Sequence, residues 1–491
     1  MYICTAQQAR NEDKRASELF HIPSLLLMEH AAQECVNVLY PSIKDKDVCI
    51  LVGPGNNGGD GLAMARLLIQ KGMHPSIYMP SLSMSETEKI QYDILEALDI
   101  PLEEMDSSCM NRADVIIDTL FGNGLSRNIE GTWKELIEQV NESNAEIISI
   151  DIPSGLDATS GEILGVAIQA DQTLALDCYK VGHLIKDGPN TCGKLQCLDI
   201  GIPHRNLNAP EMLDLDNLQI PDRSDYSHKG SFGKALMIGG SQSMHGAITM
   251  AAKAAYLSGI GTLTLMIPDC ISDIIAGKMD FAMRLIAEDK NGYFSKEAIS
   301  TLEDNLENYD ILSIGNGMGR KKRLSSFVKT CLASNKAVCL DADSFWAIQD
   351  DVELLSRNAS TILTPHLKEF STLMNKDLKE VIDNPFDAAK EFSQDYPNCT
   401  LILKSSMTII SKGNKMYVLN EPNSALAKGG SGDILCGILV GIYGQCKNDL
   451  EAAISACMIH SLAAKADIDP ASYLPNDVLQ TIPKIFKAYR K

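Results

Sequence analysis

The sequence predicts two α/β domains in tandem, each a mostly parallel sheet with helices on both faces. Short β-rich apolar runs alternate with stretches of helical periodicity, which is the pattern of a doubly wound sheet. The pattern occurs twice, on either side of a seam at 203–230 that holds three prolines and little apolar periodicity. The 491 residues leave room for such a pair, at roughly 150 residues per domain. We expect the first domain over 1–205, a linker over 206–224 and the second domain over 225–491.

Before the seam the predicted strands are VCILV (48–52), SIYM (76–79), DVIID (114–118), EIISID (146–151) and TLALD (173–177). Helices are expected at 24–39 and 61–71, where apolar residues recur at three- and four-residue steps. After the seam come KALMIGG (234–240), TLTLMI (262–267), DILSIG (310–315), AVCLD (337–341) and STILT (360–364). TLILKSSMTIIS and KMYVLN, separated by Lys412-Gly413-Asn414, read as a β-hairpin. Apolar helices are expected next, at 433–444 and 449–465.

Composition narrows the function. Against 44 Lys+Arg stand 64 Asp+Glu, a net charge of −20, which argues against a nucleic-acid binder. No apolar run approaches the ~18–20 residues of a membrane span, and the opening residues lack the pattern of a secretory signal. Fourteen scattered Cys without a C-x-x-C pair read as reduced thiols in a cytoplasmic protein rather than a disulfide or zinc framework.

Ligands of open α/β sheets sit at the carboxyl ends of the strands, and three such ends in the first half carry polar chemistry. VGPGNNGGDG (52–61) offers close backbone approach and the free N–H groups of a following helix. Asp118 leads into LFGNGLSRN (120–128), and Asp151 into IPSGLDATSG. The first loop contains G-x-G-x-x-G at Gly53, Gly55 and Gly58. A nicotinamide dehydrogenase is disfavoured, because the second strand ends in Tyr78-Met79-Pro80-Ser81 without the ribose-binding acid. Asn57, Asp118 and Ser154 admit two readings. They are an oxygen set for a hard, singly charged cation, or residues that cap turns and loops. Asp151, at a buried strand end, is either a proton shuttle or a cap of the following turn.

Together these three motifs, with LLMEHAA at 26–32, resemble the NAD(P)H-hydrate epimerase domain, a Rossmann-like fold. The resemblance implies that Asn56, Asn57, Gly58, Gly59 and Asp60 contact a hydrated dinucleotide. It implies the same for Gly122, Asn123, Gly124, Leu125, Ser126, Arg127 and Asn128. It further implies potassium at Asn57, Asp118 and Ser154, and a catalytic substrate contact at Asp151. Lys180, in YKVG, matches a lysine of that family, yet taken alone it reads as a solvated surface residue.

The second half lacks the G-x-x-x-x-G-K-[ST] of a P-loop. It has instead NSALAKGGSGD (423–433) running into an apolar helix. Gly429, Gly430, Ser431 and Gly432 would point several amides at a phosphoryl group, and Asp433 would take a proton from an attacking hydroxyl. Otherwise Asp433 simply complements the helix dipole. Ordered motifs, KGSFGKALMIGGS (229–241), GAITMAAKAAYLSGIGTLTL (246–265), IGNGMG (314–319), LDADSF (340–345), LTPHLKEF (363–370) and AKGGSGDIL (427–435), resemble the ADP/ATP-dependent NAD(P)H-hydrate dehydratase, a ribokinase-like fold. The resemblance implies hydrate near Ala247, Gly317, His366 and Asp433. It implies adenine nucleotide near Lys404, Ser405, Ser406, Met407, Thr408 and Gly432, accompanied by Mg²⁺. Leu367-Lys368 stands where that family usually has Pro-Gly, and Ser405 where Gly is usual. His366 by itself reads as a hydrogen-bonded loop residue, as do His228 and His245.

The expected activity is therefore repair of hydrated NADH and NADPH by a homo-oligomer using ADP or ATP. The first domain exchanges epimers and the second dehydrates one of them. Two other readings remain at this stage: a ribokinase-like kinase of a hydroxyalkyl heterocycle, and a nucleotide-sensing module without activity.

Overall fold

The computed structural model describes residues 1–100, 107–205, 207–465 and 468–490. Asn206, where the linker is expected to begin, lies outside them, as do 466–467 and 491 within the expected second domain. The chain divides into Met1–Glu211 and Met212–Lys491. Residues 212–220, read as linker from their composition, are packed: Leu213 N–H donates to the Val418 carbonyl at 2.8 Å, and Leu218 is buried in the second unit's core.

The first unit holds a six-stranded sheet in the order Ser76–Tyr78, Val48–Val52, Val115–Thr119, Glu146–Ile150, Gln172–Leu176, Lys194–Leu198. Every pairing is parallel. Alternate side chains serve opposite cores. Val48, Ile50, Val52, Val115 and Ile117 join one cluster, whereas Cys49, Leu51 and Ile116 join the other. That explains why these strands read as continuous apolar runs. The order reverses between Val48–Val52 and Val115–Thr119, and such a switch point is where doubly wound sheets bind ligands.

The glycine-rich stretch after Val52 differs from expectation. It is not a loop up to Gly61, because the helix Asn56–Gln70 starts at Asn56. Three helical glycines are there for contact. A Cβ on Gly58 would lie 1.9 Å from the Gly53 carbonyl oxygen, one on Gly59 2.5 Å from Met28 Cε, and one on Gly61 2.2 Å from Thr119 Oγ1. Close helix–strand packing outweighs the propensity lost by helical glycine.

The second unit holds a ten-stranded sheet. In order the strands are Met283–Ala287, Thr262–Pro268, Lys234–Ile238, Ile311–Ile314, Ala337–Leu340, Thr361–Leu363, Cys399–Leu403, Thr408–Lys412, Lys415–Leu419 and the seam strand Glu211–Met212. Pairing is parallel as far as Cys399–Leu403 and antiparallel through the next two strands. The turn at Gly413-Asn414 forms as expected, with Lys412 opposite Lys415. The run TLILKSSMTIIS, expected as one arm of that hairpin, is itself two strands that reverse at 404–407. Helices His245–Leu257 and Ser431–Cys446 pack tightly, Gly437 sitting where a Cβ would meet the Ala251 carbonyl oxygen at 2.1 Å. Among the described residues no helix is long and apolar enough to cross a membrane.

Candidate active sites

In the first unit the strand ends open on a cavity of about 960 Å³, lined among others by Asp13, Asn57, Asp60, Asp151 and Lys180. Asp151 adopts φ +68°, a left-handed conformation that a non-glycine residue holds only when its surroundings enforce it. The enforcing partner is Lys180, only 1 % exposed, whose Nζ donates to Asp151 Oδ1 at 2.5 Å and to the Leu176 and Cys178 carbonyls at 2.8 and 3.0 Å. Reading Lys180 as a solvated surface residue is therefore wrong. Its stem is folded inward because the short strand Tyr179–Lys180, paired with Ile3–Cys4, delivers it to Asp151. Asp151 Oδ2 accepts from Asn123 N–H at 3.4 Å, which ties the 120–128 loop to the same carboxylate.

Asp118 is fully buried and accepts four neutral donors. Leu120 N–H lies at 3.1 Å, Ser154 Oγ at 2.6 Å, Ser154 N–H at 2.9 Å and Ser149 Oγ at 2.8 Å. Burial pushes its carboxyl above the usual range despite those bonds. Both amide atoms of Asn57 are buried without a partner, which is costly unless something absent here completes them. An orphaned amide oxygen and a buried carboxylate with only neutral neighbours fit a singly charged, oxygen-seeking cation. The Ser154 hydroxyl is engaged with Asp118 and the Phe121 carbonyl.

Of the other residues expected at this site, Asn56, Asp60 and all of Gly122 to Asn128 line the cavity. Gly58 and Gly59 do not; they face Gly53, Glu88 and Met28. Asp13 and Lys180 were missed as site residues. Asp13 lies on an N-terminal helix, Ala6–Glu18, whose polar sequence leaves little apolar periodicity to mark it.

In the second unit four neighbouring parallel strands end at Asn316, Asp341, Thr364 and Lys404, beside the start of the helix Ser431–Cys446. One amide joins the acids: Asn316 Nδ2 donates to Asp341 Oδ2 and to Asp433 Oδ1, each at 2.8 Å. Thr364 Oγ1 donates to Asp341 Oδ1 at 2.6 Å, and Lys404 Nζ reaches the same oxygen at 3.3 Å. Burial, then the charge of Asp341, push Asp433 up to about 6, against the hydrogen bond from Asn316. Its second oxygen has no partner among the described residues.

The amide cluster is smaller than the four groups expected. Ser431 N–H turns back to the Lys428 carbonyl at 3.3 Å, leaving Gly429, Gly430 and Gly432 without acceptors among the described residues. Lys428 is a brace, its ammonium bound to the Ala471 and Tyr473 carbonyls. The positive charge comes instead from Lys404, whose Nζ would be 3.3 Å from a Cβ on Gly432. Ser431 Oγ contacts His460 Nε2 at 3.3 Å, and burial, then Lys404, lower His460 to about 4. That histidine is neutral.

Ala247 and Gly317 come together: a Cβ on Gly317 would stand 2.9 Å from that of Ala247. His366 caps the helix Leu367–Leu373, its Nδ1 accepting from Glu369 N–H at 3.1 Å, and its backbone bridges to Lys404. Leu367 and Lys368 are the first two residues of that helix, positions that any non-special residue can occupy. Ser405 turns its hydroxyl back onto the Met407 carbonyl, and its φ is not positive. Serine therefore fits this turn without strain. His228 caps a short turn by accepting from Gly230 N–H at 3.1 Å, whereas His245 Nδ1 is buried without a partner.

Comparison with known proteins places these features. A family described as NAD(P)H-hydrate dehydratase matches residues 235–484, and one described as YjeF-related protein N-terminus matches 24–182. The chain is 30% identical to the bifunctional NAD(P)H-hydrate repair enzyme Nnr of Moorella thermoacetica, covering 99% of this chain and 97% of that protein. It is also 30% identical to the protein of the same name from Dictyoglomus turgidum, over 94% and 93%. A ribokinase-like superfamily protein of Enterococcus faecalis, solved by crystallography, is similar to 58% of this chain and 99% of its own, with TM-score 0.51 and 25% identity. Two strand-end sites, one per unit, and full-length agreement in both halves lead to one statement: the chain belongs to the family of bifunctional NAD(P)H-hydrate repair enzymes.

Proposed function

We propose that the enzyme epimerises hydrated NADH and NADPH in residues 1–205 and dehydrates one epimer in residues 225–491, at the expense of ADP or ATP. The observation that carries the second step is Asp433: one oxygen is fixed by Asn316, the other is free, and unpaired amides with Lys404 stand alongside.

Hydroxide is a poor leaving group. Asp433 takes the proton of the hydrate's ring hydroxyl, which attacks the terminal phosphoryl group of the nucleotide. The Gly429, Gly430 and Gly432 amides and Lys404 hold the phosphoryl oxygens as charge shifts onto them. Placement and charge stabilisation of this kind supply most of phosphoryl-transfer catalysis. Phosphate then departs as the ring nitrogen lone pair forms a carbon–nitrogen double bond, and loss of the proton on the neighbouring carbon to water returns the electron pair to nitrogen and restores the dihydronicotinamide. Lys404 to Thr408 form the turn that would border the nucleotide, which brings Mg²⁺ as its own counter-ion. Ala247, Gly317 and His366 border the hydrate.

A fixed phosphoryl site serves one hydroxyl direction, so the first unit must interconvert epimers. Asp151 and the 120–128 loop bind the hydrate there, along with Asn56 to Asp60. Asn57, Asp118 and Ser154 would hold potassium, which supplies a fixed positive charge at the loop's base. A cytoplasmic homo-oligomer is the setting we propose, and fourteen cysteines without a C-x-x-C spacing suit a reducing compartment.

The test is direct. Hydrated NADH with ADP should recover NADH absorbance and release inorganic phosphate; a stable phosphoester would indicate a kinase instead. Asp433→Asn should abolish recovery while epimer exchange continues. Loss of both activities would contradict separate sites.

A further inference from the structure

The first unit's cavity contains more carboxyl groups than its one buried cation can neutralise. Asp13, Asp60 and Asp151 all line it with Lys180. An ammonium has three hydrogens, and all three of Lys180 are taken, by Asp151 Oδ1 and the Leu176 and Cys178 carbonyls. Among the described residues no cation pairs with Asp60. It is 8 % exposed, it faces the cavity, and no hydrogen bond reaches its carboxyl among the described residues. Glu88, from the helix Glu86–Ala97, is engaged with Gly55 N–H at 2.7 Å and Ser85 N–H at 3.0 Å. Arg10 at the cavity wall is turned to the Asn123 carbonyl at 3.3 Å. From the packed helix Ser24–Ile43 the buried thiol of Cys35 lies within reach of Asp60, whose charge would raise the thiol's proton affinity.

We infer that Asp60 stands in this cavity as a neutral carboxylic acid and donates its proton to the ring hydroxyl of the hydrate, while Asp151, paired with Lys180, accepts a proton from the water that returns. This inference rests on the reading of the first unit as an epimerase. Burial, then the charges of Asp151 and Asp13, hold Asp60 well above the usual carboxylate range, with Lys180 opposing. Two carboxyls in unlike surroundings are the common arrangement for an acid and a base in one site. The step balances. Proton transfer from Asp60 makes the hydroxyl into water. The carbon–oxygen bond breaks as the ring nitrogen lone pair forms a carbon–nitrogen double bond. A water oxygen then bonds to the same carbon from the other side, its proton goes to Asp151, and the electron pair returns to nitrogen. The proton passes from Asp151 back to Asp60 through cavity water, or the reverse reaction runs with the roles exchanged.

The experiment uses the full chain and resolved epimers of hydrated NADH. Asp60→Asn should lower kcat for interconversion about 100-fold or more, leave KM within about threefold, and leave dehydration of the accepted epimer unchanged. A second readout needs no variant: wild-type kcat should fall on the alkaline side as Asp60 loses its proton. Interconversion by Asp60→Asn within about threefold of wild type, or a wild-type profile without an alkaline limb, would overturn the inference. Wild-type chain that does not interconvert the epimers at all would overturn the reading beneath it.

Discussion

Asp433 can accept a proton only when it carries none, so its environment sets a pH limit on dehydration. Burial and Asp341 push it up to about 6. The base is therefore ready above that pH and is lost as the pH falls through it. We expect kcat/KM for ADP-driven dehydration to drop tenfold per pH unit below about pH 6, measured as NADH recovery between pH 5 and 8. Lys180 sets a limit of another kind. Removing it leaves Asp151 buried without its ion partner, and breaking such a buried pair costs about 3–5 kcal/mol. Lys180→Met should abolish epimer exchange and lower the first unit's unfolding free energy by that amount, read from denaturant titration. The sequence held a trace of this residue in YKVG, but no local pattern shows that a lysine stem turns inward; only the sheet does.

At the scale of elements, the strands were legible because burial on two faces writes uninterrupted apolar runs, as in VCILV and EIISI. The edge strand Met283–Ala287 was not, since its side chains are largely exposed and leave no such run. The start of Asn56–Gln70 was misplaced because three glycines in its first half mimic a loop. Gly58→Ala should therefore destabilise the protein by roughly 1–3 kcal/mol, read by chemical denaturation, as its Cβ would strike a backbone carbonyl. A second element depends on pH. His204 bridges Asp177 and Glu12 at 3.0 and 3.1 Å, pinning the end of the first unit to Ala6–Glu18. Hydrogen bonding to Asp177, opposed by burial, raises it to about 9. Its charged form is favoured in the fold, so its contribution is complete below about pH 6.5 and is lost as pH rises through about 9. Solvent screens these part-exposed pairs, so that contribution is about 1 kcal/mol. Urea titrations at pH 6 and 9.5 should show the loss, and His204→Gln should remove the difference.

For the whole molecule, the hydrophobic clusters fall wholly on one side of the seam or the other. We expect 1–211 and 212–491, expressed separately, each to fold by circular dichroism and to keep one activity apiece; an unfolded half would contradict two self-sufficient cores. The doubled strand–helix pattern made that division readable, although prolines exaggerated the linker. What the sequence hid is the joint between acids in the second unit. That joint is Asn316, whose amide bonds both Asp341 and Asp433 and which is followed by Gly317. Asparagine before glycine is the pairing most prone to lose ammonia on ageing. In this place the loss would set three acids where an amide had reconciled two. Burial and the two hydrogen bonds hold that amide away from the attacking Gly317 nitrogen, so in the folded enzyme Asn316 should outlast exposed Asn291, which also precedes a glycine, as peptide mapping of stored protein would show.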